Sequence, residues 1–365
     1  MMLFFAKHMT PILTQDLGTT PLGNTGFNCQ NGTDGLPDGI TITPMIHWIQ
    51  GVCVTQDLKG LTRFVAGMTE GEVAWKPGQG RHKGIYWRNT AESTCGTLFL
   101  WNELEGGFCR VWFSVPGSAL ERISLKDSCR LIMGLNCHYQ AGFTRIDAKV
   151  RVPSSLMTPE FAWQQLEIGN FTGVNTFSET TSYSSDGYKS KTTYIGSSGS
   201  DSLTRIYDPR EKHKVEGCCD IEAQLNDGKA QSFADMVANL PSGVSADQFA
   251  QIVAAAAVGQ FKLIDRSSGQ RASRCPVLIE WQNLLDLIGG SLKIYAGRPV
   301  KTFERVRNWF RRQVAPSLAA MGMAYGNATI FSWLRDELLE AQERISPELL
   351  ALVTEVKNGK QLFET

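Results

Sequence analysis

Arg205 and Tyr207 stand two residues apart in the run Ser202-Leu203-Thr204-Arg205-Ile206-Tyr207-Asp208. Strand side chains alternate between faces, so this spacing sets a guanidinium beside a phenol. That pair suits a phosphodiester. A guanidinium forks onto phosphate oxygens, and a phenolate can take the phosphoryl group covalently. The preceding run Thr193-Tyr194-Ile195-Gly196-Ser197 brings a second phenol, and the Gly/Ser stretch between the runs reads as a hairpin turn. Tyr207 is the first candidate nucleophile and Tyr194 the second. Tyr183 and Tyr188 lie upstream in Ser178 to Lys191, a Ser/Thr/Tyr-rich stretch that reads as a mobile polar loop. The plain alternative for each tyrosine is a cross-strand packing partner.

Three more alternating runs each put an acid or an imidazole on the polar side of an apolar strand. They are Met45 to Val54 with His47, Thr144 to Val152 with Asp147, and Cys219 to Leu225 with Glu222. If these strands neighbour one another, the three groups converge. Carboxylate oxygens suit Mg²⁺ or Mn²⁺, which would polarise a phosphoryl oxygen. Alternation alone needs no function, because each group could face water from a sheet with one wet face. Farther on, Lys293, Arg298 and Lys301 precede a helical pattern from Phe303 to Met321 that carries Arg305, Arg307, Arg311 and Arg312 beside Trp309. A cationic stripe next to an aromatic fits a nucleic-acid backbone, and solvated helix charges are the equal alternative.

These groups need a scaffold, and the pattern supplies one. Thr55 to Gly67 and Ala119 to Gln140 have helical spacing, and Gly84 to Val115 reads as strand after strand. Phe161 to Ile168, Gln231 to Asn239 and Ala246 to Val258 read as helices, the last begun by Ser245. From Leu284 onward the chain reads as mainly helical, with amphipathic, more acidic stretches at Ile330 to Gln342 and Pro347 to Lys357. The expected class is α+β: a large, mainly antiparallel sheet flanked by helices, with a helical C-terminal domain. The expected division is a loosely ordered segment over 1–43, a catalytic domain over 44–292 and a helical domain over 293–365.

Bulk composition narrows the class. The 365 residues carry 36 Lys and Arg against 36 Asp and Glu, which excludes a histone-like polycation but not a local basic surface. No apolar run approaches a membrane span and no signal peptide is evident, so a cytoplasmic protein is expected. The nine cysteines contain no Cys-x-x-Cys, and Cys129, Cys137 and His138 lack a second half-site, so reduced thiols are expected. There is no P-loop, no Gly-x-Ser-x-Gly elbow, no His-Glu-x-x-His and no His-hydrophobe-His pair.

Six stretches in order resemble the replication initiation factor family, the Rep_trans-type initiators of rolling-circle plasmids and related conjugative relaxases. They are IHWIQGVC, CRVWFSVPGSALERI, TRIDAKVRV, TTYIGSSGSDSLTRIYDPREK, DIEAQL and FKLIDRSSGQRASRCPVLIEWQNLL, spanning about Met45 to Leu292. The resemblance implies a nicking-closing enzyme. A tyrosine cuts one origin strand, stays on the 5′ phosphate, frees a 3′ hydroxyl for priming and later rejoins the strand. It implies a divalent metal, Mg²⁺ or Mn²⁺, on acidic residues matching Asp147 and Glu222. The implied partners are origin DNA, single-stranded or cruciform at the nick site, a host helicase and a second copy of the chain, with no membrane. His47 replaces the family's usual Asp, and Pro209 follows Asp208 where Lys is common. A conjugative relaxase or phage initiator would use the same chemistry. A non-cleaving origin-binding regulator is the reading that His47 favours.

Overall fold

The apolar run around His47 forms a strand, β1 (Thr43–Thr55), in the interior of a ten-stranded sheet. The computed structural model describes residues 42–76, 80–82, 84–185, 187–210, 215–240, 244–296, 310, 314–342 and 345. Residues 1–41 of the expected N-terminal lead-in, the basic run from Arg298 through Arg312 and the stretch Pro347 to Lys357 lie outside these residues, Phe310 excepted; β1 takes up Thr43.

After β1 come α1 (Leu58–Met68), β2 (Val73–Lys76), β3 (Gly80–His82), β4 (Ile85–Trp87), β5 (Asn89–Ser93), β6 (Leu98–Glu103) and β7 (Cys109–Val115). Then follow α2 (Gly117–Leu120), α3 (Leu125–Cys137), β8 (Gly142–Pro153), α4 (Pro159–Glu167), β9 (Phe171–Thr172), β10 (Phe177–Tyr183), β11 (Lys189–Ile195) and β12 (Ser202–Tyr207). The unit ends with β13 (Cys218–Asn226), α5 (Asp227–Ala238), α6 (Ala246–Val258), β14 (Lys262–Leu263) and α7 (Ile279–Ile288). Contacts divide the chain into Met1–Gly297 and Arg298–Thr365. In the second unit α8 (Ala315–Tyr325) packs on α9 (Asn327–Gln342).

Ten strands form one sheet in the order β10-β11-β12-β13-β8-β1-β7-β6-β5-β2, and every recorded pairing is antiparallel. Alternation then splits each central strand in two. Ile46, Ile49, Ile146, Ala148, Val150, Ile221, Ala223 and Leu225 are fully buried on one face, and α3, α5 and α6 pack there. Removing such side chains from water is the main stabilising force, about 1.5–3 kcal/mol for each large one. Caps fix the helix starts: Asp57 accepts from the Gly60 N–H at 2.8 Å, and Ser245 and Gln248 form a reciprocal capping box on α6.

Two expectations are corrected. Ser178 to Lys191 is not a loop: most of it lies in the edge hairpin β10–β11, in register from Phe177↔Ile195 to Tyr183↔Lys189. An edge hairpin can be polar on both faces, so it lacks the apolar alternation that marks a buried strand. Ala119 to Gln140 is two helices, because Ser124 accepts from the Asp127 N–H at 3.1 Å and starts α3 afresh. No helix among the described residues is long and apolar enough to cross a membrane.

Close strand-to-strand packing makes Gly51 sensitive. A Cβ there would stand 2.7 Å from the Phe113 ring and 2.8 Å from the Gly142 carbonyl oxygen, and the carbonyl cannot swing aside. Gly51→Ala should lower stability by ~1–3 kcal/mol in urea unfolding without changing the m-value. An unchanged midpoint would show that the sheet relaxes freely there.

Candidate active site

Four adjacent strands, β12, β13, β8 and β1, carry the residues singled out above on the face opposite the helices. Cross-strand partners share a face, so the register Arg205↔Glu222 aligns the guanidinium with the acid, and Trp48↔Asp147 brings β1 to β8. His47 owes its place to a bulge. Ile46 pairs with Ala148 and Trp48 with Asp147, so β1 carries one extra residue, His47, at this point of the register. The extra residue lets His47 and Trp48 both line the pocket while Ile46 and Ile49 stay in the core.

His47, Asp147 and Glu222 are all buried, and their ligating atoms lie within 4.8 Å of one another. Glu222 Oε1 accepts from Arg205 Nη2 at 2.8 Å and faces His47 Nδ1 at 3.1 Å, while Oε2 accepts from the Tyr207 hydroxyl at 2.9 Å. Asp147 takes a fork from Arg145, Nε at 2.8 Å and Nη2 at 2.5 Å, plus Arg205 Nη2 at 3.0 Å. A second cluster adjoins it. The fully buried Lys149 ammonium lies 3.4 Å from Glu121 and 3.5 Å from Asp220, and Arg151 forks onto Asp220. Glu121 also stands 3.4 Å from His47 Nε2. Four carboxylates thus meet four cations, as a desolvated network requires if no charge is to be left unpaired.

The environment separates the two central acids. Burial raises the Asp147 carboxyl to about 6, against the opposing pull of Arg145. Burial also raises Glu222, but the His47 hydrogen bond and the Arg205 charge outweigh it and hold this carboxyl well below the usual range. Burial, then the charges of Glu222 and Asp220, push the Tyr207 phenol well above its ordinary value. At rest the shared proton therefore sits on Tyr207, donated toward Glu222.

A cavity of about 570 Å³ opens over this network, lined by Tyr194, Tyr207, Arg205, Trp48 and Ser118 among others. Tyr194 lies across the strand pair from Arg205. Tyr183 is exposed and Tyr188 donates to Asp208 beneath Arg210; neither lines the cavity. Of the expected DNA-binding cations, Arg298, Lys301, Arg305, Arg307, Arg311 and Arg312 lie outside the described residues. Sequence reasoning passed over Trp48, Gly117, Glu121, Arg145, Lys149, Arg151 and Asp220. Arg145, Lys149 and Asp220 share the alternating runs of Asp147 and Glu222, which was their available signal. Trp48 and Gly117 carry none, because a bulge and a close approach are tertiary features.

The donor set fits a divalent ion: one imidazole and two carboxylates, hard enough for Mg²⁺ and well matched to Mn²⁺. Arg205 already lies on both carboxylates, so ion and guanidinium draw on the same oxygens. His138 and the described cysteines form no comparable group, and those cysteines are free thiols.

In sequence, residues 143–336 match the family described as replication initiation factor (Rep_trans). That stretch holds Asp147, Arg205, Tyr207 and Glu222 and starts after His47. Among solved structures, the rolling circle replication initiator protein from Geobacillus stearothermophilus is similar in fold, with a TM-score of 0.54 at 16% identity over 69% of this chain and 99% of that one. No curated protein matches the sequence.

Gly117 sits against His47: a Cβ there would overlap the imidazole, which would have to turn away from Glu222. Gly117→Ala should leave the thermal midpoint within a few degrees and weaken Mn²⁺ binding, read by calorimetry, by about tenfold or more. Equal affinity in the two proteins would remove His47 from the ligand set.

Proposed function

The chain belongs to the replication initiation factor family, matched over more than half its length, and from that premise we propose that it initiates rolling-circle replication by nicking one origin strand through Tyr207. The observation that carries this reading is the Tyr207 hydroxyl held 2.9 Å from Glu222 Oε2, beside Arg205, in an open cavity. A nucleophile within hydrogen-bond reach of a base, with a cation next to both, is the arrangement that phosphoryl transfer to a side chain needs.

In this reading the scissile phosphate enters over Arg205, whose charge offsets what builds on the non-bridging oxygens. The Tyr207 oxygen attacks phosphorus as its proton passes to Glu222 Oε2. The bond from phosphorus to the 3′ oxygen breaks, that oxygen takes up a proton, and the 5′ side stays on Tyr207 as a phosphotyrosine. The free 3′ hydroxyl primes synthesis, and attack by a 3′ hydroxyl on the phosphotyrosine reverses the step. One phosphodiester replaces another of similar energy, so no ATP is consumed. His47, Asp147 and Glu222 would hold a Mg²⁺ or Mn²⁺ ion, which when bound polarises a phosphoryl oxygen. Glu222 divides its oxygens between the two tasks, Oε1 toward His47 and Arg205 and Oε2 toward Tyr207.

The same reading makes the chain a cytoplasmic plasmid initiator that binds origin DNA, recruits a host helicase and pairs with a second copy. A conjugative relaxase or phage initiator differs in genomic setting rather than in site chemistry. The grip of Arg205 on both carboxylates favours one rival, an origin-binding regulator without cleavage, since it competes with any cation there.

With a suicide oligonucleotide carrying the cognate origin and Mn²⁺, the wild type should form a covalent adduct visible on a denaturing gel. Tyr207→Phe should lose it on the order of 10⁴-fold or more, and Tyr194→Phe should keep most of it. An adduct on Tyr207→Phe would move the nucleophile to Tyr194. A wild type that binds the origin yet forms no adduct with either metal would establish the regulator instead. Chelation by EDTA should abolish adduct formation, with recovery on adding Mn²⁺ or Mg²⁺; full activity in EDTA would rule out the metal.

A further inference from the structure

A second aromatic cluster shares the sheet face of the pocket. Trp87, Leu100 and Trp112 are buried together against Val52 and Leu98, under the hairpin β3–β4. The His82 ring stacks on Trp112 at 4.1 Å. The side chain of Asn102 holds the hairpin at two points, accepting from the Arg88 N–H at 2.8 Å and donating to the Tyr86 carbonyl at 2.9 Å. This hairpin is therefore fastened to the sheet, and its outer surface has a fixed position.

That outer surface is basic and aromatic. Tyr86 is 45% and Ile85 37% exposed, and Arg88 is exposed between them and Asn102. Arg110, also exposed, pairs with Asn102 across β6 and β7 and so shares its face. On that face Glu92 pairs with Leu98, at the opposite end of β6 from Asn102. The patch is continuous with the pocket. Gln50 lies 3.4 Å from His82 and donates to Thr144 at 3.0 Å, and the next residue, Arg145, stacks on Trp48 at 4.7 Å. Gln50 is three residues from His47 along β1, a span of ~10 Å.

We infer that the β3–β4 hairpin, through Tyr86 and Arg88 with Arg110 beside them, is a grip for single-stranded DNA that holds the strand flanking the nick. This rests on the nicking reading for the position of the strand, but not for the binding itself. A phenol ring gives any unpaired base a stacking surface, and the arginines take the phosphates on either side. A duplex offers its bases only within the grooves, so a flat aromatic patch favours the open strand. The grip adds affinity without reading sequence, because every base has a stacking face.

The experiment uses the full chain, in EDTA and without nicking, with fluorescein-labelled (dT)20 and a 20-base-pair duplex as probes. Wild type should bind (dT)20 more tightly than the duplex. The double variant Tyr86→Ala/Arg88→Glu should bind (dT)20 about tenfold more weakly, with its log–log salt slope reduced by about 1 or 2. Its melting midpoint should stay at the wild-type value, since both side chains lie outside the core; Tyr86→Phe, which keeps the ring, should restore most of the stacking loss. An unchanged (dT)20 affinity in the double variant would overturn the proposal, and so would equal losses on duplex and single strand. Because no bond is cut, these outcomes stand whichever way the adduct assay falls.

Discussion

The site is organised around the Glu222 carboxylate. One of its oxygens faces His47 and Arg205, and the other accepts the hydrogen bond of the Tyr207 hydroxyl. A carboxylate buried this deeply would be neutral if left alone, and its retained charge is the work of those partners. That charge in turn keeps Tyr207 protonated and aimed, and keeps Arg205 from turning to solvent. Asp147 is ranked second in the same network: forked by Arg145, it carries the raised carboxyl of the pair. Loss of any one member leaves a buried charge unmatched, so the network is set cooperatively.

Backbone devices place the partners. The bulge at His47 breaks alternation once, turning two successive side chains toward the pocket without taking Ile46 or Ile49 from the core. Gly117, just past the end of β7, gives up its side chain so that the imidazole can lie against the start of α2. From the end of that helix Glu121 reaches both His47 and Lys149 and joins the two ion clusters. Strand, bulge and helix are thus tied through side-chain charges rather than through apolar contact alone.

The two faces of the sheet have different tasks. One carries the main core, where α3, α5 and α6 cover Ile, Val and Ala side chains. The other carries charge at β12, β13, β8 and β1 and a small aromatic cluster under β3–β4. With α3, α5 and α6 on one face, the other opens in the pocket beside α2, a place where a nucleic-acid strand could lie.

Much of this was legible in the residues themselves. The period-two runs around Asp147, Arg205, Tyr207 and Glu222 predicted strands, and side-chain parity predicted which residues share a face, because alternation is a local property of the extended chain. Capping at Asp57 and Ser245 was likewise local. What the runs could not say is which strands are neighbours, since pairing joins segments as far apart as His47 and Glu222, 175 residues away. The edge hairpin at Ser178 to Lys191 hid because polar side chains on both of its faces erase the hydrophobic signal. By itself, then, the sequence determined the strands, their polar faces and the chemical types on offer. Only the tertiary structure decided that those faces meet, that they are buried rather than wet, and that a bulge and a glycine admit His47, because strand order, burial and close approach arise from contacts between distant parts of the chain.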